Sequence, residues 1–211
     1  MKTTELIGLL AHGAGPAPRV KPMLRLGPPM LGGALLAALL SIGLLGVVPA
    51  HMMSTPALWI KLAYASLLVA GAGWLSARLS LPLSHVQAPR LMIVGVVAGM
   101  ALLGLASLFA AAPGERLDAL LGRSWYRCPL IIAGVALPAL AGLLWALRGL
   151  APTRLCAAGW AAGLLAGALG AIGYALHCPE ESLAFVALWY TLGILVSGAL
   201  GGLLGPRLLR W

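Results

Sequence analysis

The chain has 211 residues, of which 61% are hydrophobic and only 9% are charged, and its formal net charge is +9. A soluble globular protein carries about a quarter charged residues, so this composition excludes an ordinary soluble domain and indicates an integral membrane protein. The basic residues are spread over separate loops. Contact with anionic membrane lipid therefore explains the positive charge better than direct nucleic-acid binding does.

The longest segment outside the predicted spans is residues 1–26, which we call the N-terminal arm. Thr3 or Thr4 can cap a short helix with Glu5 in its first turn. Glycines and prolines between residues 13 and 18 end it, and such a short helix is not stable alone in water. It can rest on the membrane surface or dock into a partner's groove. Three of its leucines share one face: Leu6, Leu9 and Leu10.

Six long apolar runs follow the arm. A bilayer-spanning helix needs about 20 apolar residues, and each run reaches that length. Apolar residues are continuous within the runs rather than alternating, which argues against a membrane β-barrel. The sequence therefore predicts an all-α, six-helix transmembrane bundle over residues 27–211. The predicted spans are 27–48, 56–79, 90–111, 128–147, 154–176 and 183–205.

Glycines recur at four-residue spacing in the fifth and sixth spans. Each set lies on one helix face and permits close approach of two backbones. We therefore expect these two spans to pack tightly as an antiparallel hairpin. The glycines are Gly159, Gly163 and Gly167 in the fifth span, and Gly198, Gly201, Gly202 and Gly205 in the sixth.

Basic residues set the expected orientation. Six spans place both termini on one side of the membrane, and ten of the 14 lysines and arginines belong to that side. The positive-inside rule assigns it to the cytoplasm, so both termini are expected to be cytoplasmic. The ten are Lys2, Arg19, Lys21, Arg25, Arg78, Arg90, Arg148, Arg154, Arg207 and Arg210.

The segment 177–182 is a polar island between the last two spans, with the sequence His-Cys-Pro-Glu-Glu-Ser. The predicted topology brings its Cys178 to the same outer face as Cys128, at the start of the fourth span. The two thiols can form a disulfide. They can instead bind a soft metal together with His177 and either Glu180 or Glu181. They can also be ordinary small apolar residues at helix ends.

Other functional classes find little support. Apart from Lys61, near the outer end of the second span, no charged residue lies deep within a span, whereas ion pathways and proton relays usually need intramembrane charged groups. No Gly-rich phosphate loop or HExxH motif is present, so an enzyme is the least supported class. A small transporter or channel with the outer polar cluster at its mouth, and a passive subunit of a membrane complex, remain as alternatives.

Several motifs resemble one known family. The segment from Leu176 to Ser182 is followed by Phe185 and by Leu188-Trp189. The opening Met-Lys-Thr-Thr-Glu-Leu-Ile, the basic stretch 19–25 and the Leu-Leu-Arg-Trp end match as well. The chain resembles, over its whole length, the NrsF-type membrane anti-sigma factors, which regulate an extracytoplasmic-function sigma factor negatively. One departure is Tyr190, where many relatives carry a histidine.

The resemblance implies a bacterial inner-membrane protein with a role for each polar end. The cytoplasmic arm is expected to hold the sigma factor. Two periplasmic cysteines that sense heavy-metal or oxidative stress map onto Cys128 and Cys178. His177 and Glu180, which neighbour Cys178 in the sequence, are our candidates for further metal ligands. No resident cofactor is implied, only a metal ion as a signal. The residues expected to bind the sigma factor are Glu5, Leu6, Leu9, Leu10, Arg19 and Lys21.

Overall fold

The computed structural model describes residues 3–13, 21–81, 84–150 and 152–210. Regular structure within these ranges is entirely helical, and six of the helices are long and apolar enough to cross a membrane. The predicted all-α architecture with six candidate spans is therefore confirmed. Arg19, one of the residues expected to bind the sigma factor, lies outside the described residues.

The helices follow the chain as a series of spans with short connections. Five predicted spans agree with the observed helices to within three residues at each end. The last span combines a short α-helix, a turn of π-helix at Val186–Tyr190 and a longer α-helix, and a short 3-10 turn at Ala50–Ser54 precedes the second span. The α-helices are α1 (Thr3–Gly13), α2 (Pro22–Leu45), α3 (Pro56–Leu79), α4 (Gln87–Ala110), α5 (Arg116–Leu121), α6 (Arg127–Arg148), α7 (Leu155–Ala175), α8 (Leu183–Phe185) and α9 (Thr191–Leu208).

The first span begins earlier than predicted. Helix α2 begins at Pro22, so the expected end of the arm at residue 26 falls inside this helix. Proline suits the first turn because the missing N–H has no helical partner there. Leu26 is fully buried, which ties this first turn to the bundle. Helix α1 forms in the arm, where a short helix was expected.

Helix α7 lies at the centre of the bundle. Its most apolar stretch is 72% buried, against 11% for α4. The backbones of α7 and α9 are in close contact where their glycines face each other. A methyl group added at Gly159 would collide with the carbonyl of Gly201. A methyl group at Gly163 would collide with the carbonyl of Ser197 in the same way. The predicted tight antiparallel hairpin is confirmed.

The bundle has two ends with different chemistry. Because successive spans are antiparallel, the start of α2 and the end of α9 lie at one end, which we call the basic end. Cys128 and Cys178 lie at the other, which we call the thiol end. The described basic residues at the basic end are Lys21, Arg25, Arg78, Arg90, Arg148, Arg154, Arg207 and Arg210.

Candidate functional site

The structure brings Cys128 and Cys178 together at the thiol end. Cys128 lies in the first turn of α6, where its N–H donates to the carbonyl of Ser124 at 2.9 Å. Cys178 lies just beyond α7, and its N–H donates to the carbonyl of Tyr174 at 3.0 Å. The side chains are buried, with exposures of 0% and 2%. Both thiols are free and lie within electrostatic range of each other.

Two tyrosines border the thiols. Tyr174 is in contact with both cysteines, and its ring centroid is 5.8 Å from that of Tyr190. Tyr190 is fully buried close to Cys178, and its hydroxyl has no hydrogen-bond partner among the described residues. The thiol pair therefore lies in a buried, largely aromatic surrounding. Sequence reasoning missed Tyr174, although a spacing of four residues before Cys178 is that of neighbouring side chains on one helix face.

A buried lysine holds the turn that carries Cys178. Lys61 of α3 is 2% exposed, and its Nζ donates to the backbone carbonyl of Cys178 at 2.8 Å. It also lies within electrostatic range of the Cys128 thiol. Carbonyls just past a helix end lack helical partners, so this ammonium satisfies a backbone group that would otherwise be left unpaired. The sequence placed Lys61 near the outer end of its span but did not indicate this bond.

His177 and Glu180 have partners of their own. The Nδ1 atom of His177 lies 3.2 Å from the carbonyl of Gly46. Oε1 of Glu180 accepts from the N–H of Arg123 at 2.8 Å and from Oγ of Ser124 at 3.2 Å. Within the described ranges, no three His, Cys, Asp or Glu side chains are placed to hold a metal ion. Metal binding by the thiols with His177 and Glu180 stays a prediction, and it requires these two side chains to leave their partners.

The connections around the thiol end are joined to the site by further hydrogen bonds. The N–H of Val48, after α2, donates to the carbonyl of Leu176 at 3.0 Å. The indole of Trp189, in the π-helical turn, donates to the carbonyl of Leu120 at 2.9 Å, and its ring lies 5.4 Å from that of Trp125. The turn 177–182 is thus tied to α2, α3 and the connection before α6.

The arm presents a different kind of surface. Every described side chain of α1 from Thr3 to His12 is exposed, including Leu6 at 43%, Leu9 at 64% and Leu10 at 64%. Lys21, which precedes α2, is exposed as well. Cys156 is an exposed thiol near the start of α7, at the basic end, and so takes no part in the thiol pair.

The fold and the site define a small helical protein with six candidate membrane spans, a buried thiol pair at one end and an exposed amphipathic helix joined to the other. A family model described as "Negative regulator of sigma F" (NrsF) matches residues 10–211. The chain belongs to the NrsF family, as its motifs indicated. This membership supports an anti-sigma-factor role and implies a regulatory rather than a catalytic protein.

Two curated relatives match along the entire chain. The "Probable anti-sigma-F factor NrsF" of Azospira oryzae is 39% identical over 215 residues, covering 100% of both chains. The "Anti-sigma-F factor NrsF" of Caulobacter vibrioides is 40% identical over 218 residues, again covering 100% of both. No solved structure matches the chain.

Proposed function

We propose that this protein is an inner-membrane anti-sigma factor that binds an extracytoplasmic-function sigma factor through its N-terminal arm. In this proposal the basic end faces the cytoplasm. Oxidation of Cys128 and Cys178, or metal binding by them, releases the sigma factor. Membership of a family described as negative regulators of sigma F supports the regulatory role. The exposed leucine face of α1 is the observation that carries the docking step.

The docking surface is a short amphipathic helix with polar flanks. Apolar side chains at helical spacing fit a hydrophobic groove on a partner, and Leu6, Leu9 and Leu10 have that spacing. Glu5 lies on the same helix, while Arg19 and Lys21 follow it before α2 begins. These charged residues can pair with side chains at the rim of the groove, where they favour correct orientation more than affinity.

Substitutions within the full chain test this docking. Truncation should stop at residue 20, because α2 begins at Pro22 and its Leu26 is buried. We expect the triple variant Leu6→Ser, Leu9→Ser, Leu10→Ser to lose most of its co-purification with the sigma factor. The matched control is Leu117→Ser, because Leu117 is 64% exposed in α5 at the thiol end. Undiminished co-purification by the triple variant would contradict docking through α1.

The signalling step involves two alternative reactions of the thiols. A disulfide forms when the two thiols give up two electrons and two protons to a thiol oxidant, and it joins the start of α6 to the turn after α7. Metal binding instead releases both thiol protons to solvent, because soft metals bind thiolates. In that case His177 and Glu180 exchange their present hydrogen bonds for the metal.

A route from the thiols to the arm runs along α2. The connection after α2 is bonded to Leu176 through Val48 and to His177 through Gly46. Farther along the bundle, Gly173 of α7 packs against the backbone of Ala37. A change in the turn 177–182 therefore acts on α2 directly, and the opposite end of α2 continues into the arm.

Serine variants of the cysteines test the sensing step. We expect Cys128→Ser with Cys178→Ser to abolish the release of sigma factor caused by a soft metal or a thiol oxidant. Cys156→Ser is the control, because Cys156 is exposed at the other end of the bundle and should leave the response unchanged. A normal response from the double variant would rule out sensing by this pair.

A further inference from the structure

A cavity of about 870 Å³ opens between α2 and α6 at the basic end. Two contacts between the helices border it. Pro29 lies next to Gly142, where an added methyl group would be 3.1 Å from the proline Cβ. Nη1 of Arg25 donates to the carbonyl of Gly149, just past α6, at 2.6 Å. Compact residues on both helices leave the space open, since Pro28 and Pro29 are short and Gly142 has no side chain.

The walls of the cavity are apolar and its rim is cationic. Arg25 and Arg148 both line it, and both are exposed. Its described lining residues include these two cationic side chains and no carboxylate. Trp145 lines the same cavity and is 81% exposed. An exposed tryptophan beside arginines at the end of a membrane helix is typical of the headgroup region of a bilayer.

We propose that this cavity binds one anionic phospholipid of the surrounding bilayer. Arg25 and Arg148 bind its phosphate, and the acyl chains lie along the apolar walls beside Trp145. Guanidinium groups match phosphate oxygens in geometry and charge. The second arginine favours a lipid with a net negative charge over a zwitterionic one, whose own ammonium group already neutralises the phosphate. This binding does not depend on which partner the arm binds or on what the thiols sense.

The site lies where the arm joins the bundle. Arg25 is in the first turn of α2, four residues after Lys21, and it already holds the end of α6 through Gly149. A phospholipid bound there connects the first turn of α2 to α6 and to the membrane surface. It therefore keeps the base of the arm at the level of the headgroups.

Thermal unfolding of the detergent-purified full chain tests the proposal. We expect added phosphatidylglycerol to raise the unfolding midpoint more than phosphatidylcholine does. The variant Arg25→Gln/Arg148→Gln should lose most of this difference. The control Arg78→Gln/Arg154→Gln should retain it, since those arginines are exposed at the same end but outside the cavity. Equal effects of the two lipids, or equal loss in both double variants, would overturn the proposal.

Two further measurements distinguish a bound lipid from a bound headgroup alone and locate its acyl chains. Soluble glycerophosphoglycerol has the headgroup without acyl chains, and an equal shift with it would contradict a lipid site. Fluorescence quenching by brominated phosphatidylglycerol reports acyl chains near Trp145 in the wild-type chain, without any change to the arginines. Replacement by Trp145→Phe should remove much of the quenching that distinguishes this lipid from brominated phosphatidylcholine. An unchanged difference would mean that the lipid lies elsewhere, for instance because the arm occupies the cavity.

Discussion

Lys61 is the residue that best explains the geometry of the thiol end. A buried ammonium is costly in an apolar surrounding unless it is hydrogen-bonded, and Lys61 donates to the carbonyl of Cys178. The bond joins α3 to a turn that lies 117 residues further along the chain. It holds the backbone of Cys178 in the position that brings its thiol near Cys128. The lysine is thus a structural support for the thiol pair.

Replacement of Lys61 should loosen this turn. In Lys61→Met the side chain keeps a similar length, but the carbonyl of Cys178 loses its donor, which costs about 1–3 kcal/mol. We expect a lower thermal midpoint and faster alkylation of Cys178 in a variant that has serine at the other two cysteines. Arg123→Met is the control, because its exposed side chain at the same end should affect neither. Unchanged midpoint and alkylation rate in Lys61→Met would argue against a supporting role.

The two adjacent glutamates of the turn should behave differently. Glu180 accepts two hydrogen bonds from the connection before α6, through Arg123 and Ser124, whereas Glu181 is exposed. Glu180→Ala should therefore lower the free energy of unfolding by about 1–2 kcal/mol, while Glu181→Ala should change it by less than about 0.5 kcal/mol. Reversible unfolding in detergent measures both. Equal effects would mean that the Glu180 bonds contribute no net stability.

At the scale of elements, the contact between α7 and α9 organises the bundle. Glycine lets the two backbones approach closely, and such close packing provides much of the attraction between helices in a membrane. Helix α4 differs, because its glycines Gly95 and Gly99 have no neighbour within 4 Å of an added Cβ. The same residue type therefore forms a packing surface in α7 and an open outer face in α4.

Alanine substitutions at Gly163 and Gly99 should distinguish the effect of helix packing on stability from that of helix propensity. In Gly163→Ala the new methyl group collides with the carbonyl of Ser197, and we expect a loss of about 1–3 kcal/mol, as for other overpacked cores. In Gly99→Ala the methyl group meets open space, so stability should stay the same or rise by up to about 1 kcal/mol. Thermal unfolding and gel filtration of both variants provide the measurement. A tolerated Gly163→Ala would show that α7 and α9 can move apart at little cost.

The elements could be predicted from the sequence, but most of the side-chain bonds could not. Long apolar runs and regular glycine spacing depend only on local order, so the spans and the hairpin α7–α9 followed from them. The bond from Lys61 to Cys178 depends on the arrangement of non-adjacent helices, which no local pattern determines. His177 and Glu180 looked like metal ligands because they neighbour Cys178 in sequence, whereas turn geometry directs them to Gly46, Arg123 and Ser124. The first span was predicted to begin at residue 27, after the charged Arg25, because charged residues are rare within spans. The helix α2 begins earlier, at Pro22.

At the scale of the whole molecule, α2 is the element that connects the two ends. The loop that follows α2 is hydrogen-bonded to the turn 177–182 through His177. At the other end, the first turn of α2 contains Arg25, which lines the cavity, and follows directly on the arm. The two ends also differ in charge, because eight of the described basic residues lie at the basic end. Because the basic residues and the two thiols lie at opposite ends, the orientation of the bundle in the membrane can be predicted.

The basic end should face the cytoplasm. Loops rich in lysine and arginine are retained on that side during insertion, so the thiol end should face the oxidising periplasm. Alkaline phosphatase needs disulfides and is active only there, and we therefore expect activity when it is fused after Gly114. A fusion after Arg210 should be inactive.

Native Cys156 provides an independent measurement of the orientation, since it is exposed at the basic end. A membrane-impermeant maleimide should label it only after the cells are permeabilised, and labelling of intact spheroplasts, or activity of the Arg210 fusion, would reverse the orientation.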